Sequence, residues 1–192
     1  MRRPAPPTTG QEPAVTLLAP ARHGLARPPG PAREHHRRTA GGGPRRWSLV
    51  EVEAAARLAH AGHTDRTGRP YLEHIVAVAE GVRARGGSAE QLAAGWLHDT
   101  VEHHRVPLRW LHAAPLPRSV KDMVIALTRG DEEDLESYVG RIRATPGAPL
   151  VKAADLASNT DPARLAALDA PTRERLTEKY ARTWALLGPL PR

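Results

Sequence analysis

The 192-residue chain carries a formal net charge of +7, but residues 1–46 supply all of it, with nine arginines, no lysine and two glutamates. Because residues 47–192 hold 19 basic and 19 acidic side chains, the basicity does not mark a nucleic-acid surface on that part of the chain. The lack of cysteine excludes disulfides and thiolate chemistry, and no apolar run approaches the ~20 residues that a membrane span needs.

Residues 1–46 are predicted to be a disordered tail. They hold nine of the 19 prolines and six of the 16 glycines, and such a segment buries too little apolar surface to offset its ordering entropy. A linker or a misassigned translation start is favoured over an arginine-rich nucleic-acid arm, because no aromatic residue interleaves the arginines for base stacking. The apolar patch 14–18 is too short for a signal peptide, so we expect a cytoplasmic protein that binds neither membrane nor nucleic acid.

Beyond the tail, apolar residues recur at helical spacing, and capping or turn residues separate the runs. Ser48 with Glu51 and Ser88 with Gln91 form two predicted capping boxes. The acidic run 131–134 suits a helix N-terminus, where negative charge offsets the helix dipole. No alternating pattern predicts a strand. We therefore predict one all-α domain over residues 47–192. The predicted helices span about residues 48–61, 70–85, 88–102, 107–111, 119–128, 135–142, 149–159, 162–168 and 171–187.

The third predicted helix carries His98, Asp99 and Glu102. Histidine and aspartate are ligands for Zn²⁺, Mn²⁺ or Fe²⁺, and a nearby glutamate suits a general base acting on water. Adjacent helical residues point in different directions, so a metal beside His98 and Asp99 needs further ligands from neighbouring helices. His74 precedes this segment and Asp155 follows it, each within an apolar run, and we expect both to converge on it.

Two further polar residues lie one helical turn from Asp155, with Lys152 three positions before it and Asn159 four positions after it. Each candidate has an ordinary explanation when taken alone: His74 as a core histidine, Lys152 and Asp155 as an ion pair, and Asn159 as a helix C-cap. Buried polar groups need partners, and a metal with a phosphate ligand would satisfy the whole set. The remaining histidines near the motifs, His60 among them, are expected at the surface.

Three ordered motifs resemble the HD-domain hydrolases of the RelA/SpoT type. They are Gly-Arg-Pro-Tyr-Leu-Glu-His at 68–74, Leu-His-Asp-Thr-Val-Glu at 97–102, and Val-Lys-Ala-Ala-Asp-Leu-Ala-Ser-Asn at 151–159. The similarity covers about residues 47–187. Among the members of this family, the small alarmone hydrolases match the chain best in length. It implies an HD-domain helical bundle that removes the 3′-pyrophosphate of guanosine tetra- and pentaphosphate.

Carried over by position, the resemblance implies one divalent ion, usually Mn²⁺, and a division of roles among the site residues. Glu102 falls on the family's catalytic acid and would position or deprotonate water, and Asn159 on a substrate and water contact. Arg66, with Lys152, would neutralise the polyphosphate. The implied metal ligands are His74, His98, Asp99 and Asp155.

The chain departs from the family pattern at two positions that bear on the substrate. Asp65 stands where the family has a guanine-stacking arginine, and His103 where it has a second acid. Another nucleotide phosphate, such as the nicotinamide dinucleotide phosphate accepted by the animal SpoT homologue, therefore stays open as the substrate. So does a non-catalytic nucleotide-binding module. No synthetase domain follows, so alarmone synthesis is not expected.

Overall fold

The computed structural model describes residues 45–190, in which α-helices are the regular elements and no strand is present. The predicted all-α class is confirmed for this part of the chain. The predicted disordered tail 1–46 lies almost wholly outside the described residues. The helices are α1 (Leu49–Ala59), α2 (Leu72–Ala84), α3 (Ala89–Leu97), α4 (Leu108–Ala113), α5 (Arg118–Leu127), α6 (Leu135–Ala144), α7 (Ala148–Asn159), α8 (Pro162–Ala166) and α9 (Ala170–Leu187).

Side-chain caps begin several of these helices where the sequence places them. The Ser48 hydroxyl accepts a hydrogen bond from the Glu51 N–H while the Glu51 carboxylate accepts one from the Ser48 N–H, and Ser88 with Gln91 repeats the arrangement at α3. Both predicted capping boxes are confirmed. Aspartate carboxylates cap α6, α8 and α9 in the same way, by accepting from otherwise unpaired N–H groups of the first turn.

Helix α2 lies between α3 and α7, and α3 also packs against α1 and α5, while α9 covers α6 and α7. The core between them is aliphatic, and burial of each large side chain stabilises the fold by roughly 1.5–3 kcal/mol. None of the described helices is long and apolar enough to cross a membrane. The largest fully buried apolar side chains include Ile75, Leu97, Leu111, Ile142 and Leu156.

Small residues allow α2, α3 and α7 to approach one another closely. A Cβ atom at Gly81 of α2 would lie 3.2 Å from the Cβ of Ala154 on α7, and one at Gly95 of α3 would lie 3.3 Å from a Val82 methyl on α2. Both distances are shorter than ordinary carbon–carbon contact. These three helices are the ones that position the site described next.

Candidate metal centre

Four buried side chains from three segments converge where α2, α3 and α7 meet. His74 lies on α2, His98 and Asp99 directly follow α3, and Asp155 lies on α7. Each is at most 9% exposed. His74, His98 and Asp99 offer ligand atoms within 4.8 Å of one another. Asp155 faces both imidazoles, with its Oδ1 3.3 Å from Nε2 of His74 and 3.7 Å from Nε2 of His98.

The local backbone explains how two consecutive residues reach one site. The prediction that a single helix carries His98, Asp99 and Glu102 is wrong, because α3 ends at Leu97. The next segment forms turns in which the Thr100 N–H donates to the Leu97 carbonyl, three residues back. This tighter winding brings Nε2 of His98 to 3.1 Å from Oδ2 of Asp99, a convergence that regular helical spacing disfavours.

The two imidazoles leave one nitrogen each facing the carboxylates. Nδ1 of His98 lies 2.9 Å from the Gly95 carbonyl, which only accepts, so this nitrogen donates and Nε2 is the free one. Nδ1 of His74 lies 2.9 Å from the Ser158 hydroxyl. Within residues 45–190, Nε2 of both histidines is buried without a hydrogen-bond partner. Two such nitrogens opposite two carboxylates are a donor set that fits a divalent transition metal.

Burial and neighbouring charges shift the pKa values of the groups in the cluster. Burial raises the pKa of the Asp99 carboxyl, but the adjacent His98 and further histidine contacts outweigh it and hold that pKa well below its ordinary value. Burial likewise opposes ionisation of Asp155, but Lys152 outweighs it and keeps the pKa well below the ordinary value. Burial lowers the pKa of His98, whereas the two aspartates raise it well above its ordinary value. These opposing shifts follow from how closely the buried carboxylates, imidazoles and Lys152 approach one another.

Lys152 and Asn159 both hold the Asp155 carboxylate. The Lys152 ammonium lies 2.7 Å from Oδ2 and 3.2 Å from the Tyr138 hydroxyl, and the side chain is 13% exposed. The Asn159 amide donates to Oδ1 at 2.6 Å. Lys152 is thus paired inside the site and is not exposed to solvent as a free cation. Its predicted contact with a phosphate would have to form while the ion pair with Asp155 is kept.

Glu102 lines the cleft above the cluster, and its Oε2 accepts a hydrogen bond from the Arg129 N–H at 2.9 Å. This contact fixes the carboxylate from the loop between α5 and α6. Arg66 lines the same cleft from the turn before α2 and is exposed. The structure therefore brings both predicted residues to the cleft that contains the cluster.

Tyr71 beside Asp99 and three histidines in contact with Tyr71 were not among the predicted site residues. The Tyr71 hydroxyl lies 2.5 Å from Oδ2 of Asp99 and 2.9 Å from Nε2 of His103. The rings of His63 and Tyr71 stack at 4.1 Å. His60, expected at the surface, is 2% exposed and stacks on Tyr71 from the end of α1, so that expectation is wrong. The spacing of Tyr71 three residues before His74 was the available signal, but it also fits an apolar stripe.

A cleft of about 420 Å³ opens over the cluster. Burial, and then the nearby Lys152 and Arg129, lower the pKa of Lys179 at its edge. Leu165 of α8, Leu168 between α8 and α9, and Tyr180 of α9 form an apolar wall. A cationic cleft with one apolar wall suits a ligand that joins phosphates to a flat ring system. The cationic residues that line it are Arg66, Arg69, Arg129, Lys152, Arg164 and Lys179.

Asp65 lies in the cleft but is committed to its own turn. Its Oδ1 accepts hydrogen bonds from the backbone N–H and hydroxyl of Thr67 and from the Arg69 N–H. Its Oδ2 lies 3.6 Å from the Arg164 guanidinium on α8. Asp65 therefore stabilises its own turn and pairs with the Arg164 guanidinium. It does not offer a side chain that could stack on a base.

Comparisons with known proteins agree with this geometry. A family profile described as "HD domain" matches residues 52–144, just under half of the chain, and includes three of the four clustered residues but not Asp155. A Synechocystis sp. protein named "Probable guanosine-3′,5′-bis(diphosphate) 3′-pyrophosphohydrolase" is 41% identical over 54 residues, which are 28% of this chain and 7% of that protein. The match thus spans a small part of the relative. Residues 52–144, which contain the consecutive His98 and Asp99, are therefore similar to HD domains.

Proposed function

We propose that the chain is a metal-dependent hydrolase of a phosphorylated nucleotide, and that it removes the 3′-pyrophosphate of guanosine tetra- and pentaphosphate. The observation that carries the proposal is the pair of buried imidazole nitrogens facing two buried carboxylates at the base of a cationic cleft. The HD-domain match and the partial likeness to the Synechocystis protein support the same reaction class. His74, His98, Asp99 and Asp155 would hold the ion, which we expect to be Mn²⁺.

The chain's own residues then divide the chemistry. A bound divalent ion supplies Lewis acidity, which activates water and offsets charge on the phosphoryl group. Glu102, held through Oε2, takes the proton of the attacking water at Oε1 as the new P–O bond forms. The bond from phosphorus to the ribose 3′ oxygen breaks, and the proton that Glu102 has taken from water passes to that oxygen as it leaves. Asn159 and Lys152 keep Asp155 oriented throughout.

The cleft walls would bind the rest of the substrate. Arg66 and Lys179 lie where phosphates would need counter-charges, and neither has a side-chain ion-pair partner within residues 45–190. The apolar wall formed by Leu165, Leu168 and Tyr180 matches a purine face. A substrate with several phosphates and one ring system uses both features.

One observation favours a second substrate within the same class. Because Asp65 is held by its turn and pairs with Arg164, the base would meet this ion pair rather than a free arginine. A carboxylate at this place accepts hydrogen bonds from an exocyclic amide or amine, and the adjacent guanidinium attracts a further phosphate. A nicotinamide dinucleotide phosphate offers both groups and is the alternative substrate.

The test uses metal-free protein reloaded with Mn²⁺ and incubated with guanosine tetraphosphate, with products resolved by ion-exchange chromatography. We expect GDP and pyrophosphate to appear only with the metal, and not in a matched Asp99→Ala variant. Phosphate released instead from the nicotinamide dinucleotide phosphate would establish the alternative. If a wider panel of nucleotides also stays intact while nucleotide binding persists, the chain is a non-catalytic nucleotide-binding module and the hydrolase proposal is wrong.

A further inference from the structure

The hydroxyl of Tyr71 connects a residue of the cleft rim to a residue of the metal cluster. It lies 2.5 Å from Oδ2 of Asp99 and 2.9 Å from Nε2 of His103. An ionised carboxylate only accepts hydrogen bonds, so the single hydroxyl proton of Tyr71 is donated to Asp99. The Tyr71 oxygen must then accept from His103, which requires a proton on Nε2 of His103. The direction of both hydrogen bonds is therefore fixed.

The Tyr71 ring is held in place independently of these two hydrogen bonds. The His63 ring stacks on it at 4.1 Å with a 22° interplanar angle, and the His60 ring lies at 5.4 Å. The Tyr71 N–H donates to the His63 carbonyl at 2.8 Å, which fixes its backbone. Tyr71 also precedes His74 by one turn, so one stretch of chain places both the hydroxyl and an imidazole of the cluster. The stacked ring and the backbone hydrogen bond thus fix the position of the Tyr71 hydroxyl.

We propose that Tyr71 and His103 form a positioning relay, in which His103 orients the Tyr71 hydroxyl and Tyr71 holds the Asp99 carboxylate in the orientation that binds a metal. The inference rests on the metal site of the proposed function. Without the Tyr71 hydroxyl, the Asp99 carboxylate loses its shortest side-chain hydrogen bond, and its remaining contacts, with the imidazoles of the cluster and of His103, are 3.1–3.7 Å long. Partners of this kind typically contribute 10–100-fold to metal affinity.

The first experiment measures metal affinity in the absence of substrate. Tyr71→Phe keeps the stacked ring and removes only the hydroxyl, whereas Tyr180→Phe removes the hydroxyl of another tyrosine that lines the cleft. We expect Tyr71→Phe to bind Co²⁺ roughly 10–100-fold more weakly in competition with a chelator and to change the visible spectrum of the bound Co²⁺. Tyr180→Phe should match the wild type in both measurements.

The second experiment addresses His103, whose side chain is 38% exposed and therefore tolerant of replacement. His103→Gln keeps an N–H donor for the Tyr71 oxygen and should bind Co²⁺ more tightly than His103→Ala. His112→Ala removes an exposed histidine on α4 and should leave affinity unchanged. In ¹⁵N-histidine NMR spectra of the wild-type protein, Nε2 of His103 should carry a proton.

Several results would overturn the relay. They are unchanged Co²⁺ affinity in a folded Tyr71→Phe variant, equal affinities for His103→Gln and His103→Ala, a His103 tautomer protonated only on Nδ1, and a wild-type chain that binds no divalent metal. Turnover plays no part in these measurements. A protein that shows the relay effect but hydrolyses no nucleotide would therefore contradict the proposed reaction and leave the relay intact.

Discussion

At the scale of single residues, His98 and Glu102 lie at different depths of the same cleft. His98 lies buried in the cluster, whereas Glu102 is half-buried above it and is fixed by the Arg129 N–H. We expect His98→Ala to abolish metal content, because the remaining imidazole and two carboxylates leave an incomplete ligand set. Glu102→Ala should keep the metal and lower turnover about 10²–10⁴-fold, the usual loss of a general base. Metal analysis with initial rates checks both. Full activity in Glu102→Ala would contradict the assigned role.

His60 gives a pH-dependent contribution to stability. Burial lowers its pKa from 6.5 to about 4, against a smaller opposing effect of Asp99. Below about pH 6.5, the unfolded chain therefore binds a proton at His60. The folded chain binds that proton only when the pH falls to about 4. This contribution is present at neutral pH and is lost as the pH falls between those values, by at most about 3 kcal/mol. Urea unfolding of the wild type and His60→Gln across this range should give stabilities that converge toward acid. Parallel profiles would contradict the assignment.

At the scale of elements, the beginning of α7 depends on a glycine. Gly147 precedes the helix with φ = 85°, and a Cβ there would lie 2.8 Å from the Met123 sulfur. Gly147→Ala should lower the free energy of unfolding by roughly 1–2 kcal/mol from the left-handed backbone alone. The matched change Gly140→Ala lies within α6 with open space around it and should stabilise by roughly 0.5–1 kcal/mol. Chemical denaturation compares the two, and equal effects would contradict this reading of Gly147.

Element boundaries followed from local chemistry wherever a cap was present. Ser48 and Ser88 each cap a helix as the sequence predicts, because a cap requires only residues within one turn. The end of α3 was missed, since nothing local stops a helix at Leu97 and tertiary packing fixes the turns that follow. The burial of His60 was missed for the same reason.

Spacing and motif order single out His74, His98, Asp99 and Asp155 as candidate metal ligands, and the structure brings these four side chains together. What spacing did not supply was the set of partners around them. The hydrogen bond between Tyr71 and His103 joins positions 32 residues apart, and no sequence periodicity connects them. Asp65 likewise reads as a turn residue in sequence, whereas its contact with Arg164 depends on the placement of α8.

At the scale of the whole molecule, the folded unit and the basic tail are expected to act separately. The described residues 45–190 belong to one compact unit by their internal contacts, and residues 47–192 carry no net charge. A chain shortened to residues 47–192 should keep the metal affinity and turnover of the full chain. Any affinity of the full chain for DNA should weaken steeply with salt and disappear in the shortened chain. Loss of metal binding on shortening would contradict this division.

The hydrogen bond between His74 and Ser158 has a kinetic consequence. It joins positions 84 residues apart. The orientation of the His74 ring on α2 therefore depends on Ser158, which comes much later in the chain. During synthesis, α7 leaves the ribosome after the segment 52–144 that carries His74, His98 and Asp99. Contacts between such distant positions form slowly. The full set of four candidate ligands should therefore assemble late in folding, once Asp155 and Ser158 of α7 have packed against α2.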